Sequence, residues 1–113
     1  MANEAAIGYV DIAIASGQTT SGEADLSNGR TLAGIIMPGT FTGTALTFTA
    51  YDSSGGTFNA IYGDTGTAIS VTCAASRYIA VDPAVFAGVR YLKVVSGSSE
   101  GGNRTVRLVV RNV

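Results

Sequence analysis

The sequence has no histidine, no tryptophan, one cysteine and two prolines in 113 residues, and only 13% of its residues are charged. Each shortage closes a route to function. Without histidine there is no imidazole base for a Ser-His-Asp or Cys-His site. A single cysteine cannot close a disulfide within the chain, and with no histidine beside it the several Cys or His ligands of a zinc site are missing. Seven basic and eight acidic residues leave a net charge of −1, not the basic excess expected of a nucleic-acid binder. No apolar run approaches the roughly 18 residues of a membrane-crossing helix. The opening segment MANEAAIGYV has neither a basic n-region nor a long apolar h-region, so the chain reads as one that is not secreted. Low charge is itself a signal, because about a quarter charged is usual for a soluble domain. The neutral Gly, Thr, Ser and Ala that replace charge leave a surface either quietly polar or meant to be covered by a partner, the second reading being preferred.

What is present is β-type alternation. The length fits one domain with a core that needs no disulfides, read as an N-terminal arm over residues 1–6 and a β-sandwich over 7–113. Ile7–Ala15 places Val10, Ile12 and Ile14 on one side and Tyr9, Asp11 and Ala13 on the other. Glu23–Leu26 is a short extended piece, and Asn28-Gly29 marks a tight turn. Thr31–Met37 is nearly all apolar and predicts a strand buried on both faces, with Gly34 at a bulge or close backbone approach. Ala45–Tyr51 points Leu46, Phe48 and Ala50 inward. Thr57–Tyr62 is its return strand, followed by a turn at residues 63–66 and a strand over Thr67–Cys73, where Cys73 reads as a small buried hydrophobe. Ser96–Asn103 is flexible by composition, and Thr105–Asn112 ends the chain as a strand with Val106, Leu108 and Val110 inward.

The stretch from Arg77 to Gly97 organises the rest. Two apolar runs, Tyr78–Val81 and Val89–Val95, flank a compact connector. Asp82 suits a helix cap, Pro83 the first helical position and Gly88 the exit, which predicts one short helical turn near Pro83–Ala87 with Phe86 as a core plug. In total about eight strands, separated by Gly-rich turns and with no amphipathic helix, predict an all-β, antiparallel sandwich of jelly-roll type.

Candidate chemistry is thin. Paired carboxylates for glycoside hydrolysis would be Asp52 with Asp64, or Asp82 with Glu100, but all four fall in loops or caps where turn geometry explains them. The Asp- and Gly-rich loops at residues 52–56 and 63–66 lack the ligand spacing of an EF-hand. Asn103-Arg104-Thr105 fits a glycosylation sequon that nothing else supports. No catalytic residue, cofactor or metal is expected. Charge is unevenly spread: Glu4, Asp11, Glu23 and Asp25 lie early, while Arg90, Lys93, Arg104, Arg107 and Arg111 lie late. Either the two ends pair as adjacent strands, or copies meet acidic patch to basic patch. Arginine is favoured at interfaces and lysine is not, and the chain has one lysine. The candidate protein interface is Tyr91, Lys93, Arg104, Arg107 and Arg111, joined by Tyr51; the alternative is that Arg107 and Arg111 only keep a sheet face or an edge strand soluble.

Four segments, LAGIIMP (32–38), ALTFTA (45–50), RYIAVDPAVFAGVRYLKVVSG (77–97) and RTVRLVVR (104–111), resemble a group of small proteins encoded among the virion genes of tailed bacteriophages and prophages. The resemblance covers roughly residues 30–112. It implies a non-enzymatic virion structural protein, assembled in the host bacterial cytoplasm. The leading expectation is a capsid decoration, or cement, protein bound to the major capsid protein as a homo-oligomer, a trimer at local three-fold points. The same resemblance admits a tail, neck or fibre-base accessory. A carbohydrate-binding sandwich is the reading from a different class; with no tryptophan and scattered tyrosines, it lacks an aromatic platform. No functional residues are carried over from the group, and neither nucleic acid nor membrane is implied as a partner.

Overall fold

The computed structural model describes residues 7–27 and 29–112; the expected arm at 1–6 and Asn28 of the expected turn lie outside them. Among the described residues nine strands form: β1 (Ile7–Ile14), β2 (Ala24–Asp25), β3 (Arg30–Ile36), β4 (Ala45–Tyr51), β5 (Asn59–Ala60), β6 (Ser70–Thr72), β7 (Tyr78–Ala80), β8 (Tyr91–Ser96) and β9 (Arg104–Asn112). One sheet has the order β1-β9-β3-β7, the other β2-β8-β4-β5, with β6 also on β4. Every pairing is antiparallel.

β5 and β6 are one strand interrupted. Asn59 and Ala60 stand opposite Ala50 and Thr49, and Ser70, Val71 and Thr72 opposite Thr47, Leu46 and Ala45. Between them the Ile61 N–H donates to the Phe48 carbonyl at 3.0 Å. Residues 62–69 fold out of this line as a small hairpin. Its Gly63 N–H donates to Thr67 O at 2.8 Å, the Ile69 N–H donates to Ile61 O at 2.9 Å, and Gly66 takes φ +85° at the tip, a conformation glycine adopts without steric cost. Counted as one strand, β5 and β6 give two four-stranded sheets in the order first-eighth-third-sixth and second-seventh-fourth-fifth, the jelly roll. The hairpin also explains why the expected strands Thr57–Tyr62 and Thr67–Cys73 shrink to two and three residues: residues 62–69, where the two meet, leave the ladder to β4 for the hairpin.

The core is the space between the sheets. Leu32, Ile35, Leu46, Leu92, Val94, Val106, Leu108 and Val110 are fully buried there. Cys73 is buried too, as its place in the alternation predicts. The connector of the Arg77–Gly97 stretch crosses from one sheet to the other. The Asp82 carboxylate accepts from the Ala84 N–H at 3.0 Å, Pro83 opens a 3-10 turn over Pro83–Phe86, and Phe86 lands edge-on against Phe48 with ring centroids 5.0 Å apart. The exit differs from expectation: Ala87 ends the turn in right-handed geometry, and the positive-φ positions do not include Gly88.

β3 carries the expected bulge. Its register against β9 slips between Leu32 and Gly34. A Cβ on Gly34 would sit 3.2 Å from the Ile79 carbonyl and 3.4 Å from Val109 Cβ, so the sheet closes around a missing side chain.

Candidate interaction surfaces

The outer face of the first sheet is built in rows. β1 turns Ile7, Tyr9, Asp11 and Ala13 outward beside Arg111, Val109, Arg107 and Thr105 of β9. Gly34 and Ile36 of β3 follow, then Ala80 and Tyr78 of β7. Ile7, Tyr9 and Tyr78 are 66%, 57% and 65% exposed, so three large apolar side chains share a face whose only close ion pair among the described residues is Asp11–Arg107. That pair is bidentate, Nε to Oδ1 at 2.8 Å and Nη2 to Oδ2 at 3.1 Å. The guanidinium also lies 5.5 Å from the Tyr9 ring centroid, a cation–π contact. The hydrogen bond from Arg107 holds the Asp11 carboxyl below its ordinary value against a small opposing effect of burial, and the same bond keeps Arg107 more firmly protonated. Of the two readings of the charge asymmetry, the pairing of the acidic start with the basic end is realised here within one chain. A shallow cleft lined by Asp11, Ile36, Met37, Pro38, Thr105 and Arg107 closes one end of the face.

The outer face of the second sheet carries Tyr51 and Thr49 of β4 opposite Tyr91 and Lys93 of β8. The loop over residues 52–58 folds back onto it. Phe58 lies 6.3 Å from Tyr51 between ring centroids and 4.5 Å below the Lys93 ammonium, while a Cβ on Gly56 would collide with the Tyr51 ring. Glu23 pins the loop, accepting from the Gly55 N–H at 2.6 Å and the Ser54 hydroxyl at 2.8 Å. These bonds, Gly55 first, lower its carboxyl pKa, with Lys93 nearby adding to the effect.

The six interface residues expected from sequence therefore do not form one surface. Arg107 and Arg111 lie on the outer face of the first sheet, Tyr51, Tyr91 and Lys93 on that of the second. A flat contact with one neighbour cannot use both, because the two faces point in opposite directions. Arg104 belongs to neither. Its side chain is 15% exposed and its Nε donates to Glu100 at 3.0 Å.

Glu100, offered by the sequence only as a carboxylate partner for Asp82, has a structural role that the sequence did not reveal. Its side chain is fully buried. Oε1 accepts from the Thr42 N–H at 2.8 Å as well as from Arg104, and Oε2 accepts from the Gly43 N–H and the Ser96 hydroxyl, both at 3.1 Å. Its backbone joins the loop over residues 15–22, receiving a bond from the Gly17 N–H at 2.7 Å and giving one to Gln18 O at 3.1 Å. Burial pushes the carboxyl pKa up, but Thr42, Gly43, Arg104 and Ser96 together outweigh it and hold the group below its ordinary value. The Ser96–Asn103 segment, flexible by composition, is thus tied at its centre and again where Asn103 accepts from the Ser16 N–H at 2.9 Å. Glu100 is a structural anchor at one end of the sandwich, and Asp82, its hypothetical catalytic partner, is occupied as a cap.

A third surface lies between the 62–69 hairpin and the 3-10 turn, an open groove lined by Ile61, Tyr62, Asp64, Ile69, Ala84 and Val85, with Tyr62 62% exposed. Among the described residues no cluster of three or more His, Cys, Asp or Glu could hold a metal ion, and no helix is long and apolar enough to cross a membrane. No protein-family model, no curated protein and no solved structure matches the chain.

Proposed function

We propose that this chain is a non-enzymatic structural subunit of a bacteriophage virion, a decoration protein that binds the major capsid protein on the head shell as a homo-oligomer. The observation that carries the reading is the outer face of the first sheet, where Ile7, Tyr9 and Tyr78 stand exposed around the internally neutralised Asp11–Arg107 pair. Arg111, exposed on the same face, is the one cation there among the described residues that a partner would have to meet with an acidic group; the rest of the face loses little charge solvation when covered and gains apolar burial. The four segments of the phage resemblance fall on β3, β4, the β7-to-β8 stretch and β9, five of the nine strands and drawn from both sheets, so the resemblance speaks first to the framework. The function rests on the faces that this framework presents.

The test is to mix the purified protein with virus particles that lack it and image them by electron microscopy. Density repeating over the capsid lattice supports decoration. Density confined to the tail or neck replaces it with the accessory role, and no binding removes the virion reading and turns attention to the Tyr62 groove in sugar-binding screens. A companion variant, R107E/R111E, puts two acidic side chains on the face, one of them opposite Asp11. It is expected to fold and to lose particle binding; normal incorporation would show that this face is not the contact.

A further inference from the structure

We propose that two copies of this chain join edge to edge through β1, forming one continuous eight-stranded sheet across a two-fold axis. In a strand the N–H and C=O of one residue point to the same side, and successive residues alternate. The Ala13 carbonyl accepts from the Gly22 N–H at 3.1 Å, so Ala13 points away from β9. Asp11, Tyr9 and Ile7 then do the same, while Gly8, Val10, Ile12 and Ile14 face β9. Among the described residues no backbone group pairs with the outward N–H and C=O of Ile7, Tyr9 and Asp11.

An open edge of this kind is a template for another strand, and proteins ordinarily blunt it with short strands, interruptions, lysines or proline. The other edges here are blunted. β7 has three residues and β2 two, and the β5–β6 edge is broken by the 62–69 hairpin. β1 runs for eight residues with no lysine, arginine or proline. Its one charge, Asp11, is already neutralised by Arg107. Among the described residues this is the single long open edge, and the partner for it that closes is the same edge of a second copy. Pairing onto a different edge would need a second long one.

The register follows from using all the free groups. With Tyr9 on the axis, Tyr9 faces the partner's Tyr9, Ile7 faces the partner's Asp11, and no like charges stand opposite. Val10 then faces the partner's Gly8. Nothing in the single chain requires glycine at position 8, since a Cβ there would make only ordinary contact with Val110 at 3.7 Å; a glycine within a strand often marks the close approach of another backbone. The inference is independent of the virion reading, and it gives two copies where the phage resemblance implies three.

The experiment is sedimentation of the full chain together with amide exchange read by NMR. The wild type is expected at twice its 11.4 kDa mass, with the Tyr9 and Asp11 amides protected. Y9P removes one outward N–H, which edge strands tolerate, and Y9K adds the charge that open edges use against pairing. Both are expected to sediment at the single-chain mass with unchanged circular dichroism, and in Y9K the Asp11 amide is expected to exchange at least about tenfold faster. A wild type that stays monomeric at about 1 mM, where even a weak complex would form, overturns the proposal. So does a dimer whose Tyr9 and Asp11 amides are unprotected, or one that survives Y9K.

Discussion

Removing the Glu100 side chain tests whether one buried carboxylate holds the loop end of the sandwich together. E100A leaves the Thr42 and Gly43 N–H groups, the Ser96 hydroxyl and Arg104 Nε without their acceptor. Each orphaned buried donor costs about 1–3 kcal/mol, but the hydroxyl can turn and Arg104, 15% exposed, can reach water. The expected loss is therefore that of breaking a buried pair, about 3–5 kcal/mol, out of a total stability of about 5–15 kcal/mol. E100Q is milder. Its NH2 fits best at the Oε2 position, where Ser96 can rotate to accept from it, so that only the Gly43 bond is lost, at about 1–3 kcal/mol. Urea unfolding at pH 7 followed by circular dichroism should show E100A shifted by about 2 M, given an m-value of about 1–3 kcal/mol/M.

Acid provides a second readout. The ordinary value for Glu100 is 4.5, and folding lowers it, so between the two values the unfolded chain binds more protons than the folded one. The contribution is complete above about pH 5 and is lost as pH falls through 4.5 toward the folded value. Asp11, Glu23 and Asp25 are lowered too and add to the wild-type acid slope. E100Q should be less steep than wild type by the share of one group. A cost for E100A below about 1 kcal/mol, or an E100Q slope equal to wild type, would refute the anchor role.

Three further perturbations probe the framework by the same unfolding measurement. F86A empties the space beside Phe48 and should cost about 3–5 kcal/mol; a smaller loss would mean that the connector is not a core plug. G34A drives a Cβ to 3.2 Å from the Ile79 backbone oxygen, which cannot swing aside as a side chain can, so a loss of about 1–3 kcal/mol is expected, with an unchanged midpoint counting against a tight bulge. Ser76 holds φ +62°, a left-handed conformation that costs a residue with a Cβ about 1–2 kcal/mol. Because glycine gives back part of that gain through unfolded-chain entropy, S76G should be neutral to about 1 kcal/mol more stable, and a clear loss would point to a contact made by the serine side chain.

The local part of this protein was legible in its sequence. Alternation with period two is a property of neighbouring residues, so β1, β4, β8 and β9 could be read directly, as could the inward set Leu46, Phe48, Val106, Leu108 and Val110. Backbone needs are local as well, which is why Asp82 as a cap, Pro83 at the turn and Gly34 at a bulge were visible. Pairing was decided only in three dimensions. Asp11 meets Arg107 across 96 positions of sequence, and β5 with β6 reads as two strands until β4 shows them to be one. Glu100 sits in SGSSEGGN, a segment with no apolar neighbour to betray burial, because its four donors come from residues 42, 43, 96 and 104. The candidate interface divided for the same reason. Arg107 and Tyr91 each face outward from their own strand, and only the stacking of the two sheets determines that outward means opposite directions.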